Sequence, residues 1–266
     1  MSIDRKLILA NAPSNIGQQV HVNHTGCEAG EDTKRRLYIK RTDQGLLAYC
    51  HHCNDKGFAS DTSSRLSQWL HKDTATNHSS FKTTFGPLSP EGRVWLHKHY
   101  CDTADVYFKG VLGHLDQVAL TLYDAYWNPI GYQIRNLKKE PKYLTKITST
   151  TADSAWFKGE GKTLYITEDY LSAYRIHNDL DASSLALLRT TITDKTLIQI
   201  SELGFKKIFI WLDPDEAGRK GARKVQETLS HYLDRDVEII NYENSKEPKQ
   251  YKPKELNGLL SSLSLC

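Results

Sequence analysis

At 266 residues, with 39% hydrophobic and 25% charged side chains, the chain has material for one large domain, or for a small module plus a medium one, each with its own core. No apolar run approaches the roughly 20 residues of a membrane-spanning helix. The stretch from Leu7 to Ala10 is too short for the core of a secretory signal, so a cytosolic location without membrane association is expected. The net charge of +3 is too mild to name a partner, and five cysteines without a secretory signal point to metal binding or free thiols rather than disulfides.

Residues 1–60 carry three of the five cysteines and four of the eleven histidines. His24-x-x-Cys27 and Cys50-x-x-Cys53 are two pairs that can each close a tight knuckle. Four N/S ligands of this kind give tetrahedral Zn²⁺ a closed structural site. RRLYIKR and LLAYC between the pairs are strand-like, with Asp43, Gln44 and Gly45 as the turn, so a small zinc ribbon is expected. His21, His51 and His52 are competing imidazoles; His51 and His52 lie inside the second knuckle, which makes His24 the better ligand. Cys50 and Cys53 could instead be a redox pair or plain thiols. His21 and His52 could contact DNA.

Residues 61–88 mix Ser, Thr, Asn and His around one short helical candidate, Arg65 to His71, and read as a linker. Ser89, Pro90 and Glu91 then form a helix-start signal for a helix reaching about Tyr100. Val118 to Tyr123 and Ile130 to Asn136 read as strands, so residues 89–160 form a small mixed α/β subdomain.

From residue 161 to 245, strands alternate with helices. The expected strands are Thr163 to Thr167, Ser184 to Leu188, Lys207 to Leu212 and Val237 to Tyr242. The helices between them are Tyr170 to Asp179, Thr196 to Leu203 and Ala217 to Leu233. This spacing predicts an α/β unit with a mostly parallel four-stranded sheet. Residues 246–266 read as a polar, weakly amphipathic tail that docks a helicase or finishes the fold. Cys101 and Cys266 have no partner at metal-ligand spacing.

Glu168 closes the first strand of this region, and Asp213 and Asp215 close the third. Chemistry in open parallel sheets collects at the carboxyl ends of strands, so these acids are expected to converge and to need Mg²⁺ or Mn²⁺. The alternative for Asp213 and Asp215 is a helix N-terminus stabilised by acids. Gly218 and Gly221 let the following helix pack closely on the sheet or approach phosphate.

A strand ending in Glu168 and a later strand ending in DPDEAG resemble the Toprim domain shared by DnaG-type primases, topoisomerases, recombination mediators and some nucleases. The segment GYQIRNLKKEPKYLT, placed before it, resembles the corresponding part of primases. A zinc ribbon in front of this arrangement is the order found in DnaG-type and phage primases. TEDYLSA and WLDPDEAGRKGARK look most like small stand-alone phage primases, which implies a viral source and the host cytoplasm. The resemblance implies synthesis of short RNA primers on single-stranded DNA from ribonucleoside triphosphates, beside a separate replicative helicase and DNA polymerase. It implies Glu168, Asp213 and Asp215 as catalytic metal ligands, and Arg135, Lys142 and Arg219 as nucleotide or template contacts. The chain departs from the Toprim Glu-Gly-x-x-Asp pattern: Asp169 replaces the glycine and Ser172 the second acid, and Arg189-Thr190-Thr191 replaces a small-residue turn. A Toprim nuclease and a non-catalytic zinc-ribbon DNA adaptor are the alternatives.

Overall fold

In the computed structural model, residues 3–42, 45–59, 83–233, 235–240 and 246–264 are described. The helical candidate from Arg65 to His71, most of the linker, the turn residues Asp43 and Gln44, Tyr242 and Cys266 lie outside them. Among the described residues, no helix is long and apolar enough to cross a membrane.

The first unit is a four-stranded antiparallel sheet in the order β1 (Gln19–Val22), β2 (Leu37–Arg41), β3 (Leu46–Cys50), β4 (Lys56–Ala59), with α1 (Arg5–Ala10) against it. The expected hairpin is β2 and β3, paired from Leu37↔Cys50 to Arg41↔Leu46. Alternation along β2 turns Leu37 and Ile39 inward against Ile3 and Ile8 of the α1 region, a small apolar core.

The second unit is an antiparallel sheet in the order β5 (Phe85–Gly86), β6 (Phe108–Val111), β7 (His114–Tyr123), β8 (Pro129–Asn136), β9 (Tyr143–Ile147). Residues 83–88, assigned by the sequence to the linker, therefore begin this sheet. Helix α2 (Pro90–Lys98) starts where the sequence says: Ser89 Oγ accepts from the Gly92 amide and Pro90 fills the first turn.

The third unit contains β10 (Ala155–Phe157), β11 (Glu160–Thr167), α3 (Tyr170–Leu180), β12 (Ala182–Ala186), α4 (Asp194–Leu203), β13 (Lys207–Trp211), α5 (Glu216–Tyr232) and β14 (Asp236–Ile239). The order is β10-β12-β11-β13-β14. The last four are the parallel strands expected; β10 adds an antiparallel edge, so the sheet has five strands rather than four. Leu164, Ile166, Ile208 and Ile210 bury one sheet face under α4 and α5, while Tyr165, Phe209 and Trp211 bury the other.

The segment read as a tail is part of this unit. After a 3-10 turn at Pro248–Gln250, α6 (Pro253–Ser264) places Leu256 and Leu260, four residues apart, against Tyr165, Phe209 and Trp211. That covers a sheet face and finishes the fold.

Arg175 joins the units. It is fully buried, pairs with Asp179 at 2.5 Å, and donates to the carbonyls of His99 (3.0 Å) and Tyr251 (3.2 Å). Arg175→Met leaves the buried Asp179 carboxylate without its cation and takes a charged donor from two carbonyls, and is expected to cost about 3–5 kcal/mol in urea unfolding. A loss below about 1 kcal/mol would mean that the pair is dispensable.

Candidate metal centres

His24, Cys27, Cys50 and Cys53 offer ligand atoms that all lie within 4.8 Å of one another. Turns supply the geometry: the Cys27 amide donates to the His24 carbonyl and the Asn54 amide to the Cys50 carbonyl, with Gly26 and Asn54 at positive φ. Cys53 Sγ lies 3.3 Å from His24 Nδ1. His52 stands outside the group, its Nδ1 3.4 Å from Cys27 Sγ. His21 stacks on Tyr38, and His51 meets Tyr38 and Tyr49 edge-on, so both rings belong to the sheet's outer face. Burial, first, and hydrogen bonding with Cys27 and Cys50 push the Cys53 thiol up to about 12. Binding a metal must therefore displace protons, as for any thiolate site.

Sequence reasoning missed Asp32. Its buried carboxylate accepts from the amides of His24 (3.0 Å), Lys34 (3.0 Å) and Arg36 (2.9 Å) and from Arg36 Nε (3.0 Å), bracing the first knuckle. The available signal was an acid just ahead of the basic run Lys34-Arg35-Arg36.

The second group forms at the carboxyl ends of β11 and β13, which run parallel and adjacent to Thr167↔Trp211. That register brings the chain after β11, Glu168 and Asp169, beside the chain after β13, Asp213. One carboxylate oxygen each from Asp169, Asp213 and Glu247 lies within 4.8 Å of the others. Glu168 borders them: the Asp213 amide is hydrogen-bonded to its carboxylate, and Asp215, Asp169 and Glu247 act on it electrostatically. Burial, then Asp215, raises the Glu168 carboxyl; burial, then Glu247, Glu168 and Asp169, raises that of Asp213 to about 7.

Two of these acids also begin helices. Asp169 Oδ1 accepts from the amides of Leu171 (3.0 Å) and Ser172 (3.3 Å), leaving Oδ2 toward Lys249 Nζ at 3.2 Å. Asp215 Oδ1 accepts from the Gly218 amide at 2.7 Å, capping α5. Lys249 also pairs with Glu247; burial lowers its affinity for a proton, but Asp169 and Glu247 raise it more, so the ammonium is held charged. A Cβ on Gly218 would lie 2.1 Å from the Asp213 carbonyl oxygen, so only glycine lets α5 start this close to the acidic loop.

Residues 165–252 match a family described as Toprim-like.

The Toprim-like region thus includes Glu247 and Lys249, beyond the boundary the sequence drew at 245. No curated protein matches the chain. Similar solved structures include a DnaG catalytic core, at 17% identity over 68% of this chain and 64% of that one, with a TM-score of 0.48. The primase fragment of the bacteriophage T7 primase-helicase protein is 17% identical over 92% and 97%, at 0.45. The Aquifex aeolicus primase, with zinc-binding and RNA polymerase domains, is 16% identical over 98% and 83%, at 0.46. The chain spans about two thirds of the DnaG core's length.

Of the acids named from sequence, Asp213 lies in the acidic cluster, Glu168 borders it, and Asp215 is engaged as a helix cap. Asp169 and Glu247 complete the group. Asp169, at the glycine position of the Toprim pattern, supplies a carboxylate there, while Ser172 Oγ is buried without a hydrogen-bond partner. For Glu247 the available signal was an acid before a proline, the same helix-start pattern as Ser89-Pro90.

Arg135 projects from β8 with its guanidinium 4.7 Å from the Tyr143 ring and 5.8 Å from that of Trp95, and its Nε has no hydrogen-bond partner. Burial, then Asp169, raises the Tyr143 hydroxyl, which Arg135 and Lys249 oppose, so this aromatic cage and the acids share one neighbourhood. Lys142 is exposed beside it, and Arg219 is exposed and donates back to the Pro214 carbonyl, over the loop holding Asp213 and Asp215. Lys138 and Lys139 pair instead with Glu91 and Asp116, and Arg189 with Asp153.

Both groups fit metals. Three thiols and an imidazole suit Zn²⁺. The buried Glu168 Oε2, which has no hydrogen bond, beside carboxyls that repel one another, suits a hard divalent cation such as Mg²⁺ or Mn²⁺.

Proposed function

We propose that the chain is a DNA primase, making short RNA primers on single-stranded DNA from ribonucleoside triphosphates by metal-dependent nucleotidyl transfer. The observation that carries this reading is the acidic cluster at the sheet rim sharing its neighbourhood with Arg135. Carboxylates there hold a divalent cation, and the guanidinium stacked on the neighbouring Tyr143 is available for phosphate. A bound Mg²⁺ or Mn²⁺ supplies polarisation of the α-phosphate and stabilisation of the departing pyrophosphate.

The chain's own residues do the rest. Glu168, Asp213 and the acids around them hold the cation, with Asp215 fixing the start of α5 behind Asp213. Arg135, Lys142 and Arg219 neutralise the triphosphate or template backbone, which is mostly electrostatic work. The ribbon, with zinc on His24, Cys27, Cys50 and Cys53, reads the template. It packs against the catalytic unit: Lys40 pairs with Asp194 at 3.0 Å, Lys56 donates to the Leu233 carbonyl at 2.8 Å, and Tyr49 lies 4.0 Å from His231. A separate helicase and DNA polymerase would be its partners in replication.

Incubation with single-stranded DNA, Mg²⁺ and labelled ribonucleotides tests the reading. Short labelled RNA is the expected product; a cut template without RNA would favour a Toprim nuclease, and neither product a DNA adaptor.

The pH dependence has a definite sign. The Asp213 carboxyl is raised to about 7 in the metal-free fold, so it holds a proton more tightly than the unfolded chain does. Its charge costs stability in full above that value, and the cost shrinks as pH falls from about 7 toward the ordinary 3.8. Mn²⁺ affinity, which needs the anion, is therefore expected to drop between about pH 8 and about pH 6, while the metal-free melting temperature rises. Calorimetry of both checks this; affinity flat over that range would contradict it.

A further inference from the structure

The acidic cluster already contains a cation. Lys249 Nζ pairs with Asp169 Oδ2 at 3.2 Å and with Glu247 Oε2, and its side chain is only 17% exposed. Asp213 and Glu168 form no ion pair among the described residues. Within the group of Asp169, Asp213 and Glu247 the ammonium contacts Asp169 and Glu247, acts on Asp213 only electrostatically, and leaves Asp213 facing the bordering Glu168 without an ion pair.

The ammonium is fixed in place rather than loosely docked. Lys249 sits in the 3-10 turn Pro248–Gln250, which a reciprocal capping box between Glu247 and Gln250 closes. Pro248 limits the backbone, and the ion pair to Asp169 ties this turn to the start of α3. An ammonium and a divalent ion compete for the same two oxygens, because like charges held at ligand distances repel one another.

We propose that Lys249 is a resident cation that keeps the Asp169–Glu247 side, so that the divalent ion is held on the Asp213–Glu168 side and the centre takes one such ion rather than two. This rests on the metal-centre reading above. Lys249 is then a positioning residue, which decides where the metal sits and how many are taken up.

The test counts Mn²⁺ bound to the zinc-loaded full chain by electron paramagnetic resonance, without nucleotide or DNA. The wild type is expected to bind one Mn²⁺ per chain at the acidic centre. Lys249→Met should bind a second, or hold the first about tenfold more tightly where the vacated oxygens join the same ion. Lys249→Arg, which keeps the charge, should return to the wild-type count and affinity. Lys249→Gln serves in place of methionine if melting shows that Lys249→Met does not fold. Two ions on the wild type, or identical count and affinity in the wild type and the neutral variants, would overturn the proposal while leaving the metal centre standing. No Mn²⁺ on the wild type, or a count that Asp213→Asn leaves unchanged, would overturn both.

Discussion

Asp213→Asn is expected to lower primer synthesis by about a thousandfold or more, while zinc content and binding to single-stranded DNA stay at wild-type levels. Asparagine keeps the shape and loses the anion. Asp213 is the acid at which the two parts of the cluster meet: it belongs to the group with Asp169 and Glu247, and its amide is hydrogen-bonded to Glu168. The same substitution removes a carboxylate whose charge burial and three acidic neighbours disfavour, so the metal-free variant should melt higher than wild type above about pH 7. Stability gained together with activity lost separates a functional acid from a structural one. A variant that is active, or that melts lower at that pH, would remove Asp213 from its role.

Cys50→Ser has the second large effect, and on a different unit. Cys50 is buried at the end of β3, and the ribbon's core is small, built on Ile3, Ile8, Leu37, Ile39, Leu46 and Ala48. Structural zinc in modules of this size contributes about 10–16 kcal/mol of apparent folding free energy. Loss of one thiolate should release zinc to a chromophoric chelator and disorder the ribbon, while the parallel sheet keeps its own transition. Template-directed initiation should fall by about a hundredfold, on the view that the ribbon places the template. Full initiation by a zinc-free variant would contradict that view.

What could be read from sequence, and what could not, follows from the range of the forces involved. Helix starts were legible because capping is local: Ser89 with Pro90 begins α2, and Gly204, in the left-handed region at φ +65°, ends α4. The four parallel strands were legible as buried apolar runs between helices. Strand β10 was not, since Ala155–Phe157 is three residues with no alternation, ordered only by antiparallel pairing to β12. The same holds for β5, two residues long, whose Gly86 pairs with Gly110. For the acidic site, strand ends pointed to Glu168 and Asp213. Which carboxylates turn toward one another depends on capping and on the return of a distant segment. Asp215 Oδ1 is taken up by the Gly218 amide, and Glu247 arrives through a turn that the sequence presents as polar tail.

The central claim is that Asp213 and its neighbours hold a divalent cation at the rim of the parallel sheet. Anomalous scattering from crystals soaked in Mn²⁺ tests it most directly, with zinc at His24, Cys27, Cys50 and Cys53 as a reference measured at its own absorption edge. The account predicts a manganese peak within ligand distance of an Asp213 carboxylate oxygen, on the side toward Glu168. A map with the zinc peak in the ribbon and no manganese at Asp213 would contradict it.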